Sequence, residues 1–404
     1  MVAVLNSVIN GAAKLNLLGS LLASVGSEPF SSVTLARVRD NMLNISKASW
    51  ELGTAAQALT ELYTPSLSVF SPSAFPPPST LNASWTPTHT FNIVNTTLRN
   101  KPASSKTLWA NQGSAADPAS LGTAVLLANW TRTDKRSPWY SSAAQGQLSY
   151  LLNDAPRSRA GAISHRANEV QFWSDFVYMV PPFIAYYGAL QSDKDLLLEA
   201  YNQCRLYRDA LQDPSPQLGI PTWRHIVQGS FQDNTHWATG NGWAAAGMMR
   251  VLATFNHSSF GSELRKEQAN LVDWIDEILV TSWKYQEPNG ALHNVINDPT
   301  TFTDTSATAL IAATTYRLAA LTRDFKSVPS ANHALSFIQR SLTSDGWLQG
   351  TVDPLKFHSP SARGEHSPEG QAFVLLLDAG FRAFKDVVEG GPVVEGSGAV
   401  RGGL

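Results

Sequence analysis

The chain has 404 residues, 43% of them hydrophobic and only 15% charged, a composition that excludes disorder as its main state. Its 30 Lys and Arg against 32 Asp and Glu leave a net charge of −2, which excludes the basic footprint of a nucleic-acid binder. One cysteine, Cys204, excludes an intrachain disulfide and a thiolate zinc site, and it reads as a small buried hydrophobe.

Residues 1–26 hold Lys14 and then an apolar run ending in small residues, which reads as a signal peptide or as an N-terminal helix packed on the domain. Five N-x-S/T sequons, at Asn44, Asn82, Asn95, Asn129 and Asn256, acquire meaning if the chain is secreted. No later apolar run is long enough to span a membrane. Residues 27–388 read as one domain. Within it, 64–105 begins with a Pro-, Ser- and Thr-rich stretch that cannot sustain a helix, and the segment is expected to be a surface excursion. Residues 389–404, rich in Gly, read as a flexible tail.

A repeat runs through the domain. Polar, Gly- or Asp-marked starts lead into small-residue apolar runs at Trp50, Asp117, Trp173, Thr239, Thr303 and Ser367, roughly 60–65 residues apart. Further helical stretches lie between them, at 143–153, 194–211, 262–281 and 328–342. Little alternates as a strand would. The economical solution is an all-α barrel of helical hairpins, an (α/α)6 barrel, with inner helices buried all round and their polar starts gathered at one rim.

That rim is the candidate site. Free N–H groups and the positive helix ends favour an anionic or polyhydroxylated ligand. Asp117, Trp173, Asp175, Trp237, Asn241, Trp243, Asp304 and Glu369 stand at those starts. Asp117, Asp304 and Glu369 read equally well as ordinary N-terminal helix anions. Asp175 differs: it sits between Trp173 and Phe176-Val177-Tyr178-Met179, where a carboxylate is costly unless paired, protonated or functional. Its aromatic neighbours and Asp117 predict a pKa raised above the reference of about 3.9. His236, His293, His358 and His366 show no metal-ligand spacing and read as loop or rim residues.

Gln171-Phe172-Trp173-Ser174-Asp175-Phe176-Val177-Tyr178-Met179-Val180-Pro181-Pro182-Phe183 resembles the catalytic block of the unsaturated rhamnogalacturonyl hydrolases of glycoside hydrolase family 105, relatives of the unsaturated glucuronyl hydrolases. Four more blocks agree in order: Asp117 to Gly122, Trp237-Ala238-Thr239-Gly240-Asn241-Gly242-Trp243, Thr303 to Ala309 and Gly370 to Phe373, a coverage of about 110 to 385. The resemblance implies the (α/α)6 barrel of the six-hairpin glycosidases. It implies removal of a terminal 4,5-unsaturated uronic acid by hydration of its vinyl ether, with Asp175 as general acid/base and Asp117 as the second catalytic carboxylate. Trp173, His225, Trp237, Asn241, Trp243 and Asp304 are the implied substrate-binding residues, with no metal and no cofactor. The implied partner is an oligosaccharide containing uronic acid, without nucleic acid or membrane. A secreted, extracellular monomer is the expected form.

One departure stands out. Where the resembled family has arginine in its W-A-R-G-N-G-W block, this chain has Thr239, so Arg166, Arg224 or Arg363 would have to supply a cation from another loop. Three alternatives follow from the same residues. One is an inverting hydrolase pairing Asp175 with Asp117, Asp304 or Glu369. Another is a lyase with Tyr178 or His225 as base. The third is a barrel that only binds glycans.

Overall fold

The computed structural model describes residues 28–82, 86–213 and 222–390. The signal-peptide or helix reading of 1–26 and the tail reading beyond residue 390 lie outside them. The described residues are predominantly helical. Helices α1 (Ser32–Ile45), α3 (Thr88–Asn100), α5 (Trp139–Ser149), α8 (Lys194–Leu211), α10 (Arg265–Lys284) and α12 (Val328–Ser341) form the outer layer. Helices α2 (Ser49–Tyr63), α4 (Gly122–Thr131) with the 3-10 turn Asp117–Leu121 before it, α6 (Phe176–Met179) with α7 (Pro181–Gln191), α9 (Ala238–His257), α11 (Thr305–Thr322) and α13 (Pro368–Val388) form the inner ring. Neighbouring inner helices touch in sequence order, and α13 returns to α2, so the ring closes as an (α/α)6 barrel.

Composition explains the two layers. In α9 every residue from Ala238 to Phe255 is buried, and in α11 nearly every residue from Thr305 to Ala319. Small residues let these backbones approach. A Cβ at Gly247 would stand 2.1 Å from the Val177 carbonyl oxygen, so only glycine fits where α9 crosses α6. Outer helices bury one stripe each: Leu197, Ala200, Cys204 and Leu211 in α8, for example.

The structure corrects the reading of 64–105. Residues 88–100 are the outer helix α3, which buries Thr90, Ile93, Val94, Thr97 and Leu98 on one face, a spacing of 3 and 4 residues. Apart from a 3-10 turn at Pro65–Leu67, the described residues flanking it are irregular, and Trp130 pins one stretch through a 2.7 Å hydrogen bond to the Pro77 carbonyl. Two of the sequon asparagines, Asn44 and Asn82, are exposed. Asn129 and Asn256 instead bury a side-chain amide atom.

Within the ring, Arg317 of α11 pairs with Glu61 of α2 at 2.9 Å, both almost fully buried, and Gln57 donates to Glu61 at 2.7 Å. Removing one partner strands a buried charge. Glu61→Ala should therefore cost about 3–5 kcal/mol, read as a lower urea midpoint, whereas replacing both partners with apolar residues of similar size should recover most of the loss. Equal loss in the single and the double variant would contradict this.

Candidate active site

The inner helices begin at one rim, and each inner segment sends a side chain into a cavity of ≈ 230 Å³ there: Trp50, Asp117, Asp175, Thr239, Ser306 and Glu369. That volume, below the about 300–1,000 Å³ common for drug-sized ligands, suits one terminal sugar ring rather than a polymer. Trp173, Trp237, Trp243 and Phe357 add aromatic walls.

Asp175 immediately precedes α6, and the short ribbon before it decides what it faces. Strands β1 (Phe172–Trp173) and β2 (Ile226–Val227) pair with Trp173 opposite Ile226, and Ser174 N–H donates to the His225 carbonyl at 2.9 Å. This register places the His225 ring behind Asp175, with Nε2 3.4 Å from Asp175 Oδ2. On its far side His225 Nδ1 lies 2.9 Å from Asp233 Oδ2, and that oxygen also meets His358 Nε2 at 3.0 Å. His358 is half exposed on β4 (Lys356–Pro360), which pairs with β3 (Val352–Asp353) in a hairpin over the cavity. A row of titratable groups thus runs from Asp175 to the surface.

These neighbours reverse the expected acidity of Asp175. Burial pushes its carboxyl up, but the hydrogen bond and charge of His225 beside it outweigh burial and hold it below the ordinary carboxylate value. For His225 burial pushes down, and its bonds to Asp175 and Asp233 outweigh it, so the imidazolium form is favoured. Asp233 is likewise pushed up by burial and pulled further down, to about 2, by His225 and by the Thr235 N–H. The raised carboxyl is Asp117. Burial first, then the charge of Asp175, lift it to about 7 against the opposing effects of Ser114 and Arg166. His165 Nε2 lies 3.6 Å from Asp117 Oδ1, and burial drives this histidine down to about 4, so it is neutral. Its ring stacks on Trp173 at 4.9 Å and 12°. Glu369, held by Trp50 Nε1–H and the Ser367 hydroxyl, is also raised by burial, to about 7.

Asp233 carries a stability prediction. Its folded pKa lies below the unfolded value near 3.8, so its contribution is present above that value and is lost as pH falls towards about 2. Asp233→Asn should cost about 1–2 kcal/mol at pH 7 and little near pH 2. A cost independent of pH in denaturant titrations would contradict the charge argument.

Asp117, Trp173, Asp175, Trp237 and Trp243 thus line the cavity. Three expected substrate-binding residues do not. Asn241 is fully buried, with its amide committed to the Trp223 N–H and to the Trp223 and Trp237 carbonyls. Asp304 is the buried N-cap of α11, accepting from Ser306 N–H, Val352 N–H and the Thr239 hydroxyl. Asn241 was misread, and Asp304 takes the helix-anion reading the sequence offered equally, because a polar residue at a helix start serves the backbone as well as it serves a ligand. His225 stands behind Asp175, not in the wall. Tyr178 lies outside the cavity lining, fully buried against Trp243 with its ring centroid 4.4 Å away, and burial raises its phenol far from any role as a base. Arg166, one of the three arginines offered by the sequence, also lines the cavity, whereas His165, Asp233 and Phe357 were missed. His165 lies ahead of the Trp173–Asp175 block, a signal that was available; Asp233 and Phe357, the latter on β4, come from segments with no pattern in sequence.

The glycosyl hydrolase family 88 model matches residues 90–353, more than half of the chain. The chain belongs to glycosyl hydrolase family 88. Unsaturated rhamnogalacturonyl hydrolase YesR of Bacillus subtilis is 27% identical over 185 residues, which are 43% of this chain and 50% of that protein. The chain thus spans about half the length of this curated relative. A possible member of glycoside hydrolase family 105 from Klebsiella pneumoniae superposes with a TM-score of 0.66 at 17% identity, covering 86% of this chain and 92% of that one. Unsaturated glucuronyl hydrolase from Bacillus sp. GL1 gives 0.58 at 13% identity, covering 85% and 94%. These two likenesses show the fold alone.

Proposed function

We propose that this family 88 chain removes a terminal 4,5-unsaturated uronic acid from oligosaccharides by hydrating the vinyl ether. One arrangement carries the reading: Asp117 and Asp175 face the same aromatic cavity in unlike surroundings, with His225 Nε2 3.4 Å from Asp175 favouring its ionised form and burial favouring the protonated form of Asp117. Environments that split a carboxyl pair assign an acid and a base.

At mildly acidic pH the pair holds one proton, resident on Asp117 in the free site. That proton goes to C4 of the double bond, and the positive charge forms across C5 and the ring oxygen. The carboxylate of Asp175 takes a proton from water as the water oxygen bonds to C5. The pair again holds one proton, and the resulting hemiketal opens and releases the aglycone. No group needs to attack the anomeric carbon, whereas ordinary glycoside hydrolysis places two carboxyls about the glycosidic bond itself. His225 and Asp233 act through Asp175, keeping it ionised and fixing its orientation.

The test is a panel of lyase-generated oligosaccharides, followed by loss of the ultraviolet absorbance of the double bond together with release of the aglycone. Loss of both with at least one member of the panel is expected. Tight binding without turnover across the panel would replace this reading with a barrel that only binds glycans. Secretion belongs to the same proposal, supported by the apolar run after Lys14, and would give meaning to the sequons at the exposed Asn44 and Asn82.

A further inference from the structure

The cavity holds a cation that, among the described residues, makes no hydrogen bond or ion pair with its side chain, though its charge is felt by Asp117. Asp117 and Glu369 are kept neutral at mildly acidic pH by burial, and Asp175 is balanced from behind by His225. His165 is neutral as well. Among the described residues that line the cavity, this leaves Arg166 as the one fixed cation, and its guanidinium makes no hydrogen bond or ion pair within them. The other two candidate arginines are elsewhere. Arg224 commits its guanidinium to the Ala210 and Leu211 carbonyls, and Arg363 is exposed away from the cavity lining. At the position of the missing arginine, Thr239 turns its hydroxyl to Asp304 at 2.7 Å.

Arg166 is also built in. Its N–H donates to Ser164 Oγ at 3.0 Å, its backbone bridges to Ser114, and the next N–H donates to the Gly113 carbonyl at 2.9 Å. The guanidinium lies over Gly113 so closely that a Cβ there would stand 2.5 Å from Nη2. Glycine at 113 makes room for the arginine head.

We infer that Arg166 binds the carboxylate of the substrate's uronic acid, replacing from a different loop the arginine that Thr239 displaces. The planar guanidinium offers two parallel donors to a carboxylate, and a neutral sugar cannot use its charge. This inference rests on the uronide reading above, and its test separates the two.

The experiment compares the unsaturated uronide disaccharide with its C6 methyl ester, in the parent and in Arg166→Ala. The parent should favour the free acid. Arg166→Ala should lose about 10- to 100-fold in kcat/KM on the acid, the scale of a hydrogen bond to a charged group, mostly through KM. It should lose little on the ester, so the preference collapses. Arg166→Lys should restore part of it. Gly113→Ala, which displaces only the guanidinium, should reproduce the loss at unchanged melting temperature. An acid-to-ester preference unchanged in Arg166→Ala would overturn the inference while leaving the hydrolase reading intact. If the parent cleaves neither compound, tryptophan fluorescence with glucuronate and glucose decides. A preference for glucuronate that vanishes in Arg166→Ala sustains the inference while the hydrolase reading fails. A preference that survives, or none in the parent, overturns it.

Discussion

Asp175→Asn should lower kcat by about 10²-fold or more on any substrate the parent cleaves, because an amide cannot take the proton from water. Binding should survive, since size and hydrogen-bonding reach are kept. The stability outcome follows from the ion pair. Asp175 is held below its ordinary pKa, so the folded state favours its ionised form, and that contribution is present above the unfolded value near 3.8 and is lost on acidification. The variant should therefore be modestly less stable at pH 7, and the difference should shrink as pH falls. His225, left with Asp233 alone, should titrate at a lower pH than in the parent, a shift that ring-proton NMR can follow. A variant with parental turnover would remove Asp175 from the mechanism.

Asp117→Asn should have an equally large effect on turnover, about 10²-fold or more, for the opposite reason: it removes the resident proton. The pH profile is the sharper readout. In the parent, kcat/KM should fall as pH rises through about 7, where Asp117 ionises, and should fall at the acid end where Asp175 protonates, below the ordinary carboxylate range. In Asp117→Asn the residual activity should lose its limb near pH 7. Stability should move the other way from Asp175→Asn. A carboxyl whose folded pKa exceeds its unfolded value destabilises the fold increasingly as pH rises between the two. Asp117→Asn should thus gain about 1–3 kcal/mol at pH 8 and little near pH 4, measured by urea titration. A residual profile that still falls near pH 7 would assign that ionisation to another group, with Glu369 the next carboxyl in the cavity.

The sequence displayed the barrel because inner helices must be apolar on every side. Runs such as Ala244-Ala245-Ala246-Gly247 and Ala307 to Ala313 have no other comfortable environment, and their regular spacing exposed the ring. Helix α3 was hidden because prolines crowd the segment before it and its buried face mixes Thr with Ile, Val and Leu. Asp117 and Asp175 were legible as carboxyls beside aromatic and apolar runs. Their acidities were not. The sign at Asp175 is set by His225, 50 residues away in sequence, and His225 is in turn held by Asp233, which no periodic pattern marks. Local sequence reports the burial of a charge but not what faces it. The same limit explains Asn241 and Asp304, whose partners are backbone groups brought in by neighbouring loops.

The central claim is that the chemistry occurs at the double bond and not at the anomeric carbon. A matched pair of disaccharides tests it: one aglycone carrying either a 4,5-unsaturated uronic acid or the corresponding saturated uronic acid, with aglycone release followed by mass spectrometry at mildly acidic pH. Hydration predicts release from the unsaturated compound alone, abolished in Asp175→Asn. Release from the saturated compound at a comparable rate would contradict the account and assign the carboxyls to conventional glycoside hydrolysis.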